Sequence, residues 1–206
     1  FSQVYALMKA RQWQHAEQAY TEELKKNNSS QARTDLAYIY YKLGKYDQAL
    51  DQFSQAMKLK PVYLAAYYYR AKNYVKMGRY DEAIDDYSYF IRHFPQHFYA
   101  HYRLGKVKLK QGNYKDAIEV FEQASKLASG KNKSKALYYQ GKAYQNQGDA
   151  YYPEARAAYE ASIRVAPAEI ESRLAIASLM SDDEQGRTDA EEIYDQIVKL
   201  KPSESL

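Results

Sequence analysis

Cysteine is absent from this 206-residue chain, and disulfide staples, thiolate metal sites and a cysteine nucleophile are excluded with it. That absence suits the cytoplasm and a bacterial periplasm alike. No apolar run approaches the roughly 18 residues that a membrane span needs. Glycine (8) and proline (5) are few and scattered, so no phosphate-cradling glycine loop can be drawn. Phe1 stands where an initiator Met would, and no basic-then-apolar leader follows, as expected of a trimmed fragment or a mature chain. The excess is in tyrosine, with 24 residues against 6 Phe and 1 Trp.

Hydrophobic residues at 46% and charged residues at 27% are ordinary for a globular protein and exclude wholesale disorder. The net charge of +4 conceals an asymmetry: residues 1–148 carry +11 and residues 149–206 carry −7. A basic body suggests an anionic partner, although solvated helix faces produce the same balance.

A fixed period decides the architecture. Segments beginning at Gly44, Gly78 and Gly112 repeat at a spacing of 34 residues. A fourth copy begins at Gly148 with two extra residues before Ala155, and a fifth ends at Pro202 after the acidic turn that contains Asp182–Glu184. Each unit reads as two helices. In the second, Ala49, Phe53 and Ala56 fall on one face, as do Ala83, Tyr87 and Phe90, then Ala117, Phe121 and Ala124. Pro61, Pro95, Pro167 and Pro202 end these helices. In the first helices a small residue recurs at Ala37, Ala71, Gly105, Gly141 and Ala175, where a larger one would push paired helices apart.

This pattern of small residue, Tyr40/Tyr74/Tyr144, Gly, Tyr46/Tyr80/Tyr114, Ala, aromatic, Ala and Pro resembles the tetratricopeptide repeat over nearly the whole chain. Lys108 and Ser178 depart from it at the first-helix tyrosine, and Ser129 departs from it at the proline. The resemblance implies an all-α, right-handed α–α superhelix: one solenoid over 1–206, with a partial repeat at 1–29 and complete repeats at 30–63, 64–97, 98–133, 134–167 and 168–202. It assigns ten tyrosines to core sites: the six above and Tyr20, Tyr87, Tyr159 and Tyr194.

The family lines its concave groove from set positions of the first helices. Carried over, these are Tyr68, Tyr102 and Tyr138 at the fifth site, Tyr69, Arg103 and Tyr139 at the sixth, and Lys72, Lys106 and Lys142 at the ninth. Tyr99 and Lys135 fall at second sites, and Tyr38 at the ninth site of the first complete repeat. The expected surface is a tyrosine-lined groove with one lysine per repeat, suited to a protein or peptide segment of acidic character. The alternative is that the tyrosines pack adjacent repeats and the lysines are solvated. Of the family's carboxylate clamp for acidic C-termini, Thr34, Tyr38, Tyr69 and Tyr99 do not match and only Arg103 does, which disfavours a chaperone co-factor.

No catalytic constellation is present, and no cofactor or metal is expected. His97 and His101 have i, i+4 spacing, but no further ligand completes a motif. Asp85/Asp86 read as a solvated helix face. The resulting expectation is a non-enzymatic interaction scaffold. Alternatives are an assembly factor of a bacterial secretion, pilus or polysaccharide-export machine, and a single-stranded nucleic-acid binder built on stacking tyrosines. Nucleic acid is disfavoured, because arginine is sparse in the groove. Solenoid ends need covering, so at least one end is expected to be covered by further chain, by a second copy through self-association or by a partner protein, with Ile193, Ile197 and Leu200 uncovered at one end and Phe1, Val4, Tyr5 and Leu7 at the other.

Overall fold

The computed structural model describes residues 2–180 and 184–200, which form helices joined by short turns, with no strand among the described residues. Phe1, Asp182 and Pro202 lie outside the described residues. The chain divides into two compact units, 1–95 and 96–206. The first holds α1 (Ser2–Lys9), α2 (Trp13–Lys26), α3 (Ser30–Lys42), α4 (Tyr46–Lys58), α5 (Ala65–Lys76) and α6 (Tyr80–His93). The second holds α7 (Phe98–Lys110), α8 (Tyr114–Lys126), α9 (Gly130–Gln147), α10 (Tyr152–Val165), α11 (Glu171–Ala177) and α12 (Glu184–Leu200). Within each unit consecutive helices pack, and α3 also touches α5, as α7 touches α9, so alternate helices lie side by side.

The turns follow from one device used repeatedly. Gly44 adopts φ 76°, which costs a glycine little. That lets the Lys45 N–H reach the Tyr40 carbonyl (2.9 Å) and the Gly44 N–H reach that of Tyr41 (3.2 Å), closing α3. The same pair of bonds recurs after α5 and α7. After α1 the glycine is replaced by Arg11, which takes φ 57°; its N–H donates to the Met8 carbonyl and the Gln12 N–H to that of Leu7, the equivalent pair of bonds. A side chain in that region is strained by roughly 1 kcal/mol.

Ala49 and Phe53 of α4 are fully buried against Ala37 and Ala66, and Ala117 and Phe121 of α8 against Ala143. Where α7 and α9 carry glycine at the small-residue site, the ring opposite occupies the space. A methyl group on Gly105 would lie 2.8 Å from Phe121 Cε1, and one on Gly141 2.6 Å from Tyr159 Cε1. Lys108, in place of the tyrosine, reaches Asp116 Oδ2 at 2.6 Å.

Three expectations are corrected. First, Asp86 is not on a solvated face. It is buried, and both its oxygens accept from the Arg70 guanidinium at 2.7 Å, because the partner sits on the paired helix α5. Second, Tyr194 is not a core residue. The residue is 49% exposed, because α12 is turned so that Ile197 is buried and Ile193 packs on the cluster around Ile176. Third, and for the same reason, Tyr194, Val198 and Leu200, not Ile193 and Ile197, are the exposed apolar residues of α12. At the other end Val4 is buried and Leu7 packs against α2 and α3, while Tyr5 is exposed. The helix α9 begins at Gly130, and a 3-10 turn at Asp149–Tyr151 lies between it and α10.

Candidate interaction surface

In the first unit α3 and α5 lie side by side and their tyrosines meet. The Tyr38 ring is 4.9 Å from Tyr69 and stacks 6.0 Å from Tyr41, and Tyr68 stands edge-on to Tyr69 at 5.4 Å. The Lys72 ammonium sits among the rings of Tyr38, Tyr41, Tyr68 and Tyr69, between 5.1 and 5.9 Å from their centroids. Cations are attracted to the negative faces of such rings. Trp13 meets Tyr38 edge-on at 6.1 Å, with the Lys42 ammonium 5.3 Å above the indole.

Beside this cluster a cleft of about 550 Å³ opens, walled by Tyr5, Tyr20, Tyr38, Tyr63 and Tyr69 around Asp35. The Tyr20 hydroxyl donates to Asp35 Oδ2 at 2.6 Å. Burial pushes the Asp35 carboxyl above the usual carboxylate range, although the Tyr20 hydrogen bond pulls the other way. Burial also raises the Tyr20, Tyr63 and Tyr69 phenols, and the nearby Asp35 charge adds to each.

The second unit builds a related face from α7 and α9. Tyr102 stands edge-on to Tyr139 at 5.5 Å, and Tyr139 stacks on Phe121 at 5.7 Å. The Lys106 ammonium lies 4.6 Å from the Tyr139 ring and 5.6 Å from Tyr102. That of Lys142 lies 5.8 Å from Tyr138, which itself contacts Tyr139 and Tyr159. Neither Lys106 nor Lys142 forms an ion pair among the described residues. Arg103 is half-buried, and its charge opposes the rise that burial imposes on the Tyr102 phenol.

The structure therefore gathers Tyr38, Tyr68, Tyr69 and Lys72 in one unit, and Tyr102, Tyr138, Tyr139, Lys106 and Lys142 with Arg103 in the other. Two expected residues stand aside. Tyr99 is 48% exposed at the start of α7, with its hydroxyl 3.5 Å from Asn132 Nδ2, and the exposed Lys135 acts electrostatically on Glu169. Tyrosines from alternate helices pack on one another, as the alternative reading held, yet the lysines rest on rings and are not simply solvated. Asp35, Tyr41, Tyr63 and Trp13 were missed from sequence. Asp35 precedes Tyr69 by 34 residues, so carrying the sixth site one repeat back would have found it. His97 accepts from the Ala100 N–H at 3.1 Å and caps α7. Among the described residues no three His, Asp or Glu side chains are placed to share a metal ion, and no helix is long and apolar enough to cross a membrane.

A tetratricopeptide repeat family model matches residues 68–132, and the model of anaphase-promoting complex, cyclosome, subunit 3 matches residues 9–88. The chain is built of tetratricopeptide repeats. No curated protein matches the sequence. Among solved structures, the C-terminal part of a tetratricopeptide repeat protein from Cytophaga hutchinsonii aligns with a TM-score of 0.80 at 20% identity, covering 97% of this chain and 78% of that one. A tetratricopeptide repeat protein from Parabacteroides merdae aligns at 0.76 and 18% identity, covering 98% and 78%. YrrB, described as a tetratricopeptide protein with an unusual peptide-binding site, aligns at 0.69 and 22% identity, covering 90% and 94%. At these identities the likeness is one of fold, the all-α superhelical repeat.

Proposed function

We propose that this tetratricopeptide chain is a non-enzymatic interaction module that docks a segment of another protein on the tyrosine and lysine faces of its first helices. The observation that carries the reading is the seating of Lys72, Lys106 and Lys142 over half-buried tyrosine rings at one position per repeat. Half-exposed phenols offer flat apolar contact and a hydroxyl together, a composition common at recognition surfaces. The ammonium groups add a preference for acidic side chains. That YrrB, similar in fold, is described with a peptide-binding site supports the choice of a peptide-like occupant.

The test is direct. Peptides selected from a random library on the wild-type protein are titrated into a Lys72→Glu, Lys106→Glu, Lys142→Glu variant whose helicity is unchanged. Affinity is expected to fall at least about tenfold, and more at low salt, where exposed charges are less screened. Undiminished affinity overturns the reading.

The exposed Tyr194, Val198 and Leu200 of α12 support a second element of the proposal, self-association through this helix. Sedimentation over a wide concentration range is expected to show a dimer that a Tyr194→Lys, Val198→Lys variant abolishes. A wild-type monomer at every concentration contradicts it.

A further inference from the structure

The cleft of the first unit has the opposite sign to the lysine faces. At its floor Asp35 keeps one hydrogen bond, from Tyr20, and no lysine, arginine or histidine pairs with it among the described residues. A carboxylate in an aromatic surround, short of water, is costly to hold charged without a counter-charge. The walls are phenol rings, whose faces are negative and attract cations. Such a site repels an anion twice over, through the carboxylate and through the ring faces.

The mouth is open and its rim is anchored. Tyr5 and Tyr63 are 60% and 37% exposed, and the Tyr63 N–H donates to Ser30 Oγ at 2.9 Å, which fixes the rim to α3. Lys9, Lys42 and Lys72 stand over the rings of Tyr5, Tyr38 and Tyr69 without lining the cleft. They surround the cleft with positive charge, so a uniformly basic chain is disfavoured, whereas a single basic residue flanked by acidic ones meets both signs.

We infer that this cleft is a cation pocket that receives one lysine or arginine side chain of the docked segment, its charge on Asp35 and its alkyl stem against the tyrosine rings. The inference rests on the interaction-module reading for the origin of that side chain. The pocket itself is testable without a partner.

N-acetyl-lysine N-methylamide and its norleucine counterpart, equal in stem and lacking the charge, are titrated into the full chain and followed by the NMR resonances of Tyr20, Tyr63 and Tyr69. The lysine probe is expected to shift them saturably, and the norleucine probe to bind at least about tenfold more weakly. Asp35→Asn keeps an acceptor for Tyr20 and removes the charge, so the two probes become equivalent. Should that variant fail to fold, Tyr63→Leu, at the exposed rim, is expected to reduce the lysine preference several-fold. Equal binding of the two probes to wild type, no saturable shift with the lysine probe, or an undiminished preference in the variants overturns the inference. Equal binding of the two probes to the wild type, with the Lys→Glu effect intact, would sink the pocket and leave the module. A wild-type lysine preference that Asp35→Asn removes, with no Lys→Glu effect, would sink the lysine faces and leave the pocket.

Discussion

Asp86→Ala is expected to cost roughly 3 kcal/mol of stability, read as a lower denaturation midpoint with an unchanged slope. The loss is large because the change removes one half of a desolvated pair. Asp86 is 6% and Arg70 20% exposed at the side chain, with two 2.7 Å bonds between them. The Arg70 guanidinium, lodged between the rings of Tyr67 and Tyr74, would then be buried without its counter-charge. Burial raises the Asp86 carboxyl above the usual carboxylate range despite Arg70, so the pair is held against a real desolvation cost. An Arg70→Met, Asp86→Leu double variant is accordingly expected to recover most of the loss. Because Arg70 shares α5 with Tyr68, Tyr69 and Lys72, the single variant should also weaken peptide binding at temperatures where it is still folded. A loss below about 1 kcal/mol would mean that solvent reaches the pair and screens it.

Gly105→Ala and Gly141→Ala are each expected to destabilise the second unit, against the rule that alanine favours a helix by about 1 kcal/mol over glycine. The new methyl groups would lie 2.8 Å from the Phe121 ring and 2.6 Å from the Tyr159 ring, and both rings are fully buried. Overpacking of this kind costs typically 1–3 kcal/mol, roughly enough to reverse the propensity gain and more. Thermal denaturation of the two single variants and the double checks the sign. Raised stability would show that the rings can withdraw. Tyr159 also contacts Tyr138 and donates to Gln145 Oε1 at 2.7 Å, so the Gly141 variant should disturb the Lys142 face as well.

Much of this fold was legible because its determinants are local. Gly44, Gly78 and Gly112 mark turns by backbone conformation alone, and the Ala-aromatic-Ala spacing marks the buried face, with no knowledge of a partner element. The misreadings concern residues whose environment is set at a distance. Asp86 follows Asp85 and looks like one more solvated acid, and only Arg70, sixteen residues earlier on the paired helix, buries it. Tyr194 fits the aromatic register, but α11 is only seven residues long, and α12 buries a different face. The candidate face was legible as a register of positions, which found the lysines and most of the tyrosines. The contacts of Lys72 with Tyr38 and Tyr41, and of Lys106 with Tyr139, were not, because they join helices a full repeat apart. Asp35 escaped because a lone acid among first-helix positions carries no signal until the rings of Tyr20, Tyr63 and Tyr69 are folded around it.

Trp13, the sole indole of the chain, lies edge-on to Tyr38 in the first unit, while the second unit has tyrosine and phenylalanine but no tryptophan. Light absorbed by phenols close to Trp13 passes to the indole by resonance energy transfer, a process that fades steeply with separation. Emission from the indole after tyrosine excitation is thus a signal of the first unit's integrity. The unfolding of the first unit can therefore be followed by its own indole, in unlabelled protein and in a single titration.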